Sequence, residues 1–268
     1  EHLLMLDVTP VTVADAGDYR TWVARPTLPD GVPSAGSRLE PNLELLAELR
    51  PQLIVIAPQL EDIRPLLERI APVQLYPGFG QQHDNLQAQR EAFLDLARAL
   101  GREALARRRL QAMDAELVQL RERLQVHFAG QLPAVTVIRF SSPTAAFING
   151  PNSMPQHALT LLGLQPALQL EPSPWGITQV PITTLGHIEC GVVLHIEPFA
   201  QEAQLFASPL WQAMQQWHPD NTDAVSCAMS DTVTSEMFVV LGLRVSLDTF
   251  SWLDLCFKLL SRHMIAGL

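Results

Sequence analysis

The chain has 268 residues, long enough for one large domain or two lobes with a substantial core. Apolar residues make up 47% and charged residues 17%, which excludes a disordered segment or a charged scaffold. The net charge of −10 argues against nucleic acid or an anionic membrane surface as partner.

No apolar stretch reaches the roughly 18–20 residues of a spanning helix, and the nearest candidate, Met237 to Val245, is short and contains Arg244. Cys190, Cys227 and Cys256 match no zinc or redox spacing and read as small buried hydrophobes. The chain shows no signal-peptide pattern.

In chain order, residues 1–9 read as a helix end and a turn at Thr9-Pro10. The β-branched run Val11 to Ala14 reads as a strand. Residues 15–34 read as a loop in which Tyr19 and Trp22 either pack on the body or line a cleft. The stretch Ala35 to Pro58 reads as loop, helix, break and strand. Pro41 fits a first helical position, with Glu40 beside the positive helix start. Leu43, Leu46 and Leu49 recur at helical spacing. Arg50-Pro51 stops the helix, and Leu53 to Ile56 has the pattern of a parallel strand buried on both faces.

Asp62 to Ile70 then predicts a helix, Val73 to Tyr76 a strand and Pro77 to Gly80 a turn. Residues 84–126 carry the clearest helical periodicity, broken at Gly101. Phe93, Leu96, Ala97 and Leu100 mark a first helix. Leu105, Leu110, Met113, Leu117, Leu120 and Leu124 mark a second, its arginines and acidic residues on a solvated face. The second half repeats the α/β rhythm. Ala134 to Ile138, Ala145 to Ile148 and Val192 to Ile196 read as strands. His157 to Leu162 and Trp211 to Trp217 read as helices, and Val180 to Leu185 as extended or helix-starting. Asn149 to Ser153 is a turn with a capping Asn or Ser. Ser235 to Val245 reads as a helix.

Enzyme signatures are missing from this pattern: no GxSxG elbow, no HExxH, no paired cysteine motif. His195 sits in an apolar run and reads as a core histidine. His187, Glu189 and Cys190 form, on paper, half of a soft metal site, and a metal-dependent enzyme centred there is one alternative. Arg38 stands in a Gly/Ser loop before a helix, where an α/β sheet projects ligand contacts, or where an arginine is simply solvated.

The run SRLEPNLELLAELRP resembles the signature of the periplasmic iron–siderophore binding proteins, particularly the hydroxamate (ferrichrome) class. Further matches follow in order: VADAGDYRTW at 13–22, ERIAP at 68–72, NGPNS at 149–153, PWGIT at 174–178 and SPLWQAM at 208–214. The resemblance implies an α/β protein of two lobes, each a mainly parallel sheet flanked by helices, joined by one long helix. The expected division is 1–101, a linking helix at 102–126, and 127–268, with the ligand in the cleft between lobes.

It implies a non-catalytic carrier, without cofactor, that binds a ferric hydroxamate siderophore and delivers it to an ABC importer permease from the periplasm. The carrier is expected as a monomer. Arg38 is expected to contact the hydroxamate oxygens, Trp22 and Trp175 to wall the pocket, and Tyr19 and Ser153 to join them. Family members start with an export signal and a first strand, so the chain reads as an N-terminally incomplete form.

The family's pocket aromatics fall at Ile56, Leu60 and Leu168 here, and its docking carboxylates at Pro65 and Thr183, where Glu61, Asp62 or Glu68 would substitute. The resemblance fades past about residue 218. A paralogue that has lost ligand binding is therefore the second alternative.

Overall fold

The structure, a computed structural model, describes residues 1–23, 25–76, 80, 84–188, 191–197, 199–216 and 238–244. They fall into two compact units: residues up to 76 with the run 84–111, and Gly80 with the run from Ala112 onward.

The first unit opens with α1 (His2–Met5) and α2 (Ala16–Trp22). The segment around Tyr19 and Trp22 is thus helical, not the loop its polarity suggests. Ala16 is buried and Tyr19 packs beside it against Leu28 and Val32. That i, i+3 pair lies on one face, and its packing on Leu28 and Val32, rather than local propensity, holds a helix of two turns. The β-branched run before it makes no strand, only an isolated parallel bridge from Val13 to Ser34.

Helix α3 (Leu43–Leu49) starts two residues after Pro41. The cap is Asn42, whose side chain accepts a hydrogen bond from the Leu45 N–H at 2.9 Å. Arg50, in the left-handed region at φ 46, ends it before Pro51. Strands β1 (Ile54–Ile56) and β2 (Val73–Leu75) pair in parallel, Ile54 opposite Val73. Ile54 and Ile56 are buried on Leu46 and Leu67, whereas Val55 faces out, so β1 is covered on one face and not on two. Between the strands lie a 3-10 turn, Pro58–Ile63, and the short α4 (Arg64–Leu67).

Helices α5 (Asn85–Ala99) and α6 (Glu103–His127) break at Gly101, which takes φ +66. Phe93, Leu96 and Ala97 of α5 are buried, as are Leu110, Met113, Leu117, Leu120 and Leu124 of α6, so the heptad-like spacing marks the covered stripe. Arg107 pairs with Glu103 and Arg109 with Asp7, while the other α6 arginines lie exposed. Helix α6 gives its first residues to one unit and the rest to the other.

The second unit is built on a mixed sheet in the order β5-β4-β3-β6-β7. Strands β3 (Val135–Ser142), β6 (Gly191–Glu197) and β7 (Phe238–Arg244) run parallel, while β4 (Ala145–Asn149) and β5 (Ile177–Pro181) complete it in antiparallel fashion. Only half of this sheet is therefore parallel. Of the helix expected at 235–245, the described residues 238–244 are instead β7, whose run Phe-Val-Val-Leu-Gly-Leu suits a strand beside β6.

Helix α7 (Met154–Leu161) begins three residues before the periodicity indicates, and α9 (Pro209–Gln216) lies where a helix is expected. The short α8 (Glu202–Phe206) is additional. Ile138, Phe140, Ile148, Ile182, Leu185, Val193, Leu205 and Trp211 form the core, each full burial of such a side chain contributing about 1.5–3 kcal/mol. His195 is buried within it, its ring 5.3 Å from Phe140 and 5.9 Å from Phe206.

Candidate functional site

Arg38 stands on a loop closed at its base. The Ala35 N–H donates to Val13 O at 2.8 Å, the Asn42 N–H to Ala35 O at 2.6 Å, and Gly36 bridges Pro41. Gly36 takes φ +91, and a Cβ there would lie 2.7 Å from Glu40 O, so no other residue fits this turn without shifting the backbone. At the tip, Ser37 Oγ accepts from the Leu39 and Glu40 N–H groups at 3.3 and 2.9 Å. All side chains from Ser37 to Glu40 point to solvent.

The loop is tied to the start of α2. The Asp15 N–H donates to Gly36 O at 2.9 Å. Asp15 Oδ2 accepts the Arg38 N–H at 3.1 Å and forms an ion pair with Arg38 Nε at 3.0 Å. Asp18 Oδ2 lies 3.7 Å from Arg38 Nη2. The Arg38 side chain nonetheless remains 73% exposed, and among the described residues its Nη1 edge meets no further partner. Sequence reasoning overlooked Asp15, although it lies inside the VADAGDYRTW run that pointed to this region.

Trp22 lies half-buried at the far end of the same helix. Tyr19 holds the fold together here, since its hydroxyl donates to Pro26 O at 2.7 Å and its ring packs on Leu28 and Val32. Arg20 adds bonds to Ala16 O and Val32 O, at 3.2 and 3.4 Å.

In the second unit, Trp175 stands 65% exposed on the turn before β5. That turn is clasped to the Asn149–Ser153 turn. The Gly150 N–H donates to Gly176 O at 2.8 Å, and the buried Asn152 bonds Ser173 through both ends of its amide. Ser173 Oγ in turn donates to Ile177 O at 2.9 Å. Asn152 stands in the turn for which the sequence offers a capping Asn or Ser; Ser153 is the cap, and the clasp made by Asn152 is what the sequence did not show. Ser153 is only 2% exposed and caps α7 through the Gln156 N–H at 3.2 Å, so burial turns its hydroxyl to the helix rather than to solvent.

Where the resemblance expects further aromatic walls, the side chains belong to the cores. Ile56 is buried and Leu60 packs against the same cluster, while Leu168 packs against the core of the second unit. His187 is exposed, and its paper partners Glu189 and Cys190 lie outside the described residues, as do residues 77–79 of the turn expected at 77–80 and Trp217. Among the described residues no group of acidic, cysteine and histidine side chains is placed to hold a metal, and no helix is long and apolar enough to cross a membrane.

The sequence matches the periplasmic binding protein family over residues 1–184. The chain belongs to that family. Within it, the chain is 35% identical over 217 residues to the iron(3+)-hydroxamate-binding protein FhuD of Escherichia coli K12, covering 80% of this chain and 72% of that one. The crystal structure of FhuD from Vibrio cholerae with Fe3+–Desferal superposes with a TM-score of 0.76 at 41% identity, over 80% of each chain. A siderophore periplasmic binding protein from the fuscachelin gene cluster of Thermobifida fusca shares the fold at 19% identity, with a TM-score of 0.68 over 100% of this chain and 93% of that one. These periplasmic binding proteins are named for what they bind.

Proposed function

We propose that this chain binds a ferric hydroxamate siderophore in the periplasm and hands it to an ABC importer. The observation that carries this reading is the 41% identity to a relative whose structure holds Fe3+–Desferal, together with Arg38 standing in the motif that first suggested the class. In such a chelate the siderophore oxygens already satisfy the iron, so the protein needs donors and apolar walls rather than metal ligands. The planar Arg38 fork suits paired oxygens, and Trp22 and Trp175 offer flat apolar surface. Exposed Glu61 and Asp62, beside the Arg64–Glu68 pair, offer carboxylates to a basic permease surface.

Tryptophan fluorescence during titration with ferrichrome and ferric desferrioxamine tests the reading. Saturable quenching that weakens at least about tenfold in Arg38→Ala, the size of one lost charge-assisted contact, is expected. A flat titration on folded protein overturns it.

A further inference from the structure

We propose that Asp15 is a positioning residue that fixes Arg38 as a charge-balanced hydrogen-bond donor, so that the site favours uncharged over anionic iron chelates. The inference rests on the siderophore reading above and names its ligand class more narrowly.

One oxygen, Asp15 Oδ2, accepts the Arg38 backbone N–H at 3.1 Å and forms an ion pair with Arg38 Nε at 3.0 Å. The backbone and the guanidinium of a long, flexible residue are thereby held to one carboxylate oxygen. Asp15 is the fixed member of the pair. Its N–H is held by Gly36 O, its carbonyl accepts the Tyr19 N–H at 2.9 Å, and its side chain is 26% exposed against 73% for Arg38. A surface ion pair adds little to stability, so what this one gives is direction. With Nε on Asp15 and Nη2 facing Asp18, the Nη1 edge is left to meet ligand oxygens.

The charges of the cluster also select among ligands. Two carboxylates face one guanidinium, so the cluster is net negative although its presented group is a cation. A hydroxamate oxygen on an uncharged chelate asks only for a donor hydrogen. Three monoanionic hydroxamates balance ferric iron, whereas three dianionic catecholates leave the complex strongly negative. Such an anion meets an arginine whose charge is already answered, and two carboxylates besides.

Asp15→Asn tests this. Asparagine tolerates the left-handed backbone that Asp15 adopts at φ 49, so the substitution removes charge with little strain. Dissociation constants are measured for ferrichrome and for a ferric tris-catecholate, and the Arg38 Nε–H resonance is followed by NMR. The ratio of the two affinities shifts about tenfold toward the catecholate, as expected for one charge near a surface, and the Nε–H resonance moves. An unchanged ratio or an unmoved resonance overturns the proposal. Asp18→Asn, which leaves the helix start intact, shifts the ratio in the same direction even if Asp15→Asn fails to fold; an unchanged ratio there overturns the charge argument. If the unsubstituted chain binds neither chelate, the siderophore reading fails and the selectivity claim with it, while the resonance separately reports whether Asp15 positions Arg38.

Discussion

Asn152 and Ser173 hold each other across two turns: the Asn152 Nδ2 donates to Ser173 O at 2.8 Å, and its Oδ1 accepts the Ser173 N–H at 3.3 Å. Asn152 is buried, so truncating it strands two backbone groups of the turn that carries Trp175. Asn152→Ala should destabilise the chain by about 1–3 kcal/mol, the cost of buried polar groups losing partners. Urea unfolding checks the magnitude. The same variant should weaken siderophore affinity, because the turn bearing Trp175 loses its clasp.

Gly36→Ala adds a Cβ 2.7 Å from Glu40 O on a backbone at φ +91. A loss of about 1–3 kcal/mol is expected from strain of this kind. Affinity should fall by a larger factor than in variants at exposed Leu39, since the Arg38 turn itself is displaced. Paired unfolding and titration curves separate the two effects.

Rebuilding the family's missing tryptophan should not restore a pocket wall. Ile56 is 3% exposed in the core under α3, so Ile56→Trp overpacks it and costs about 1–3 kcal/mol. A fully stable variant with tighter siderophore binding would show that Ile56 faces the ligand instead.

Glu103, in the first turn of α6, has its carboxyl held below the usual 4.5, first by its hydrogen bond with Arg107, which desolvation opposes, and then by the nearby charges of Arg107 and Arg98. A lowered folded-state value means that the contribution is present above the unfolded value and is lost as pH falls through the folded one. The stability difference between the unsubstituted chain and Glu103→Gln should therefore be seen at neutral pH and vanish in acid. It should also shrink with added salt, because the group is exposed. Thermal unfolding across pH and ionic strength reads both.

Reversing charge at Glu61, Asp62 and Glu68 together should reduce siderophore uptake in cells without changing the affinity of the isolated chain. Uptake equal to that of the unsubstituted chain would remove these carboxylates from transporter docking.

The helices α5 and α6 were legible because their periodicity runs for many turns and the break falls on a glycine. Helix α2 was not. Seven residues give too few repeats for a period to emerge, and its polar residues match those of a turn. β7 misled for the opposite reason: an apolar run is helical or extended depending on the neighbour it finds, and here that neighbour is β6. Arg38, Trp22 and Trp175 came from ordered motifs. Asp15 and Asn152 stand inside two of those motifs without their roles being legible, because a carboxylate or amide that positions another group shows its purpose only when its partner is brought beside it.

The Arg38 loop is closed by Val13, Gly36 and Pro41 at its base and by Ser37 at its tip, and residues 37 to 40 all face solvent. What is recognised and what keeps the chain folded are thus written in different residues. A lineage can rewrite residues 38 to 40 while leaving Ser37 and the buried ones alone, and so drift from one iron carrier to another without passing through an unfolded ancestor.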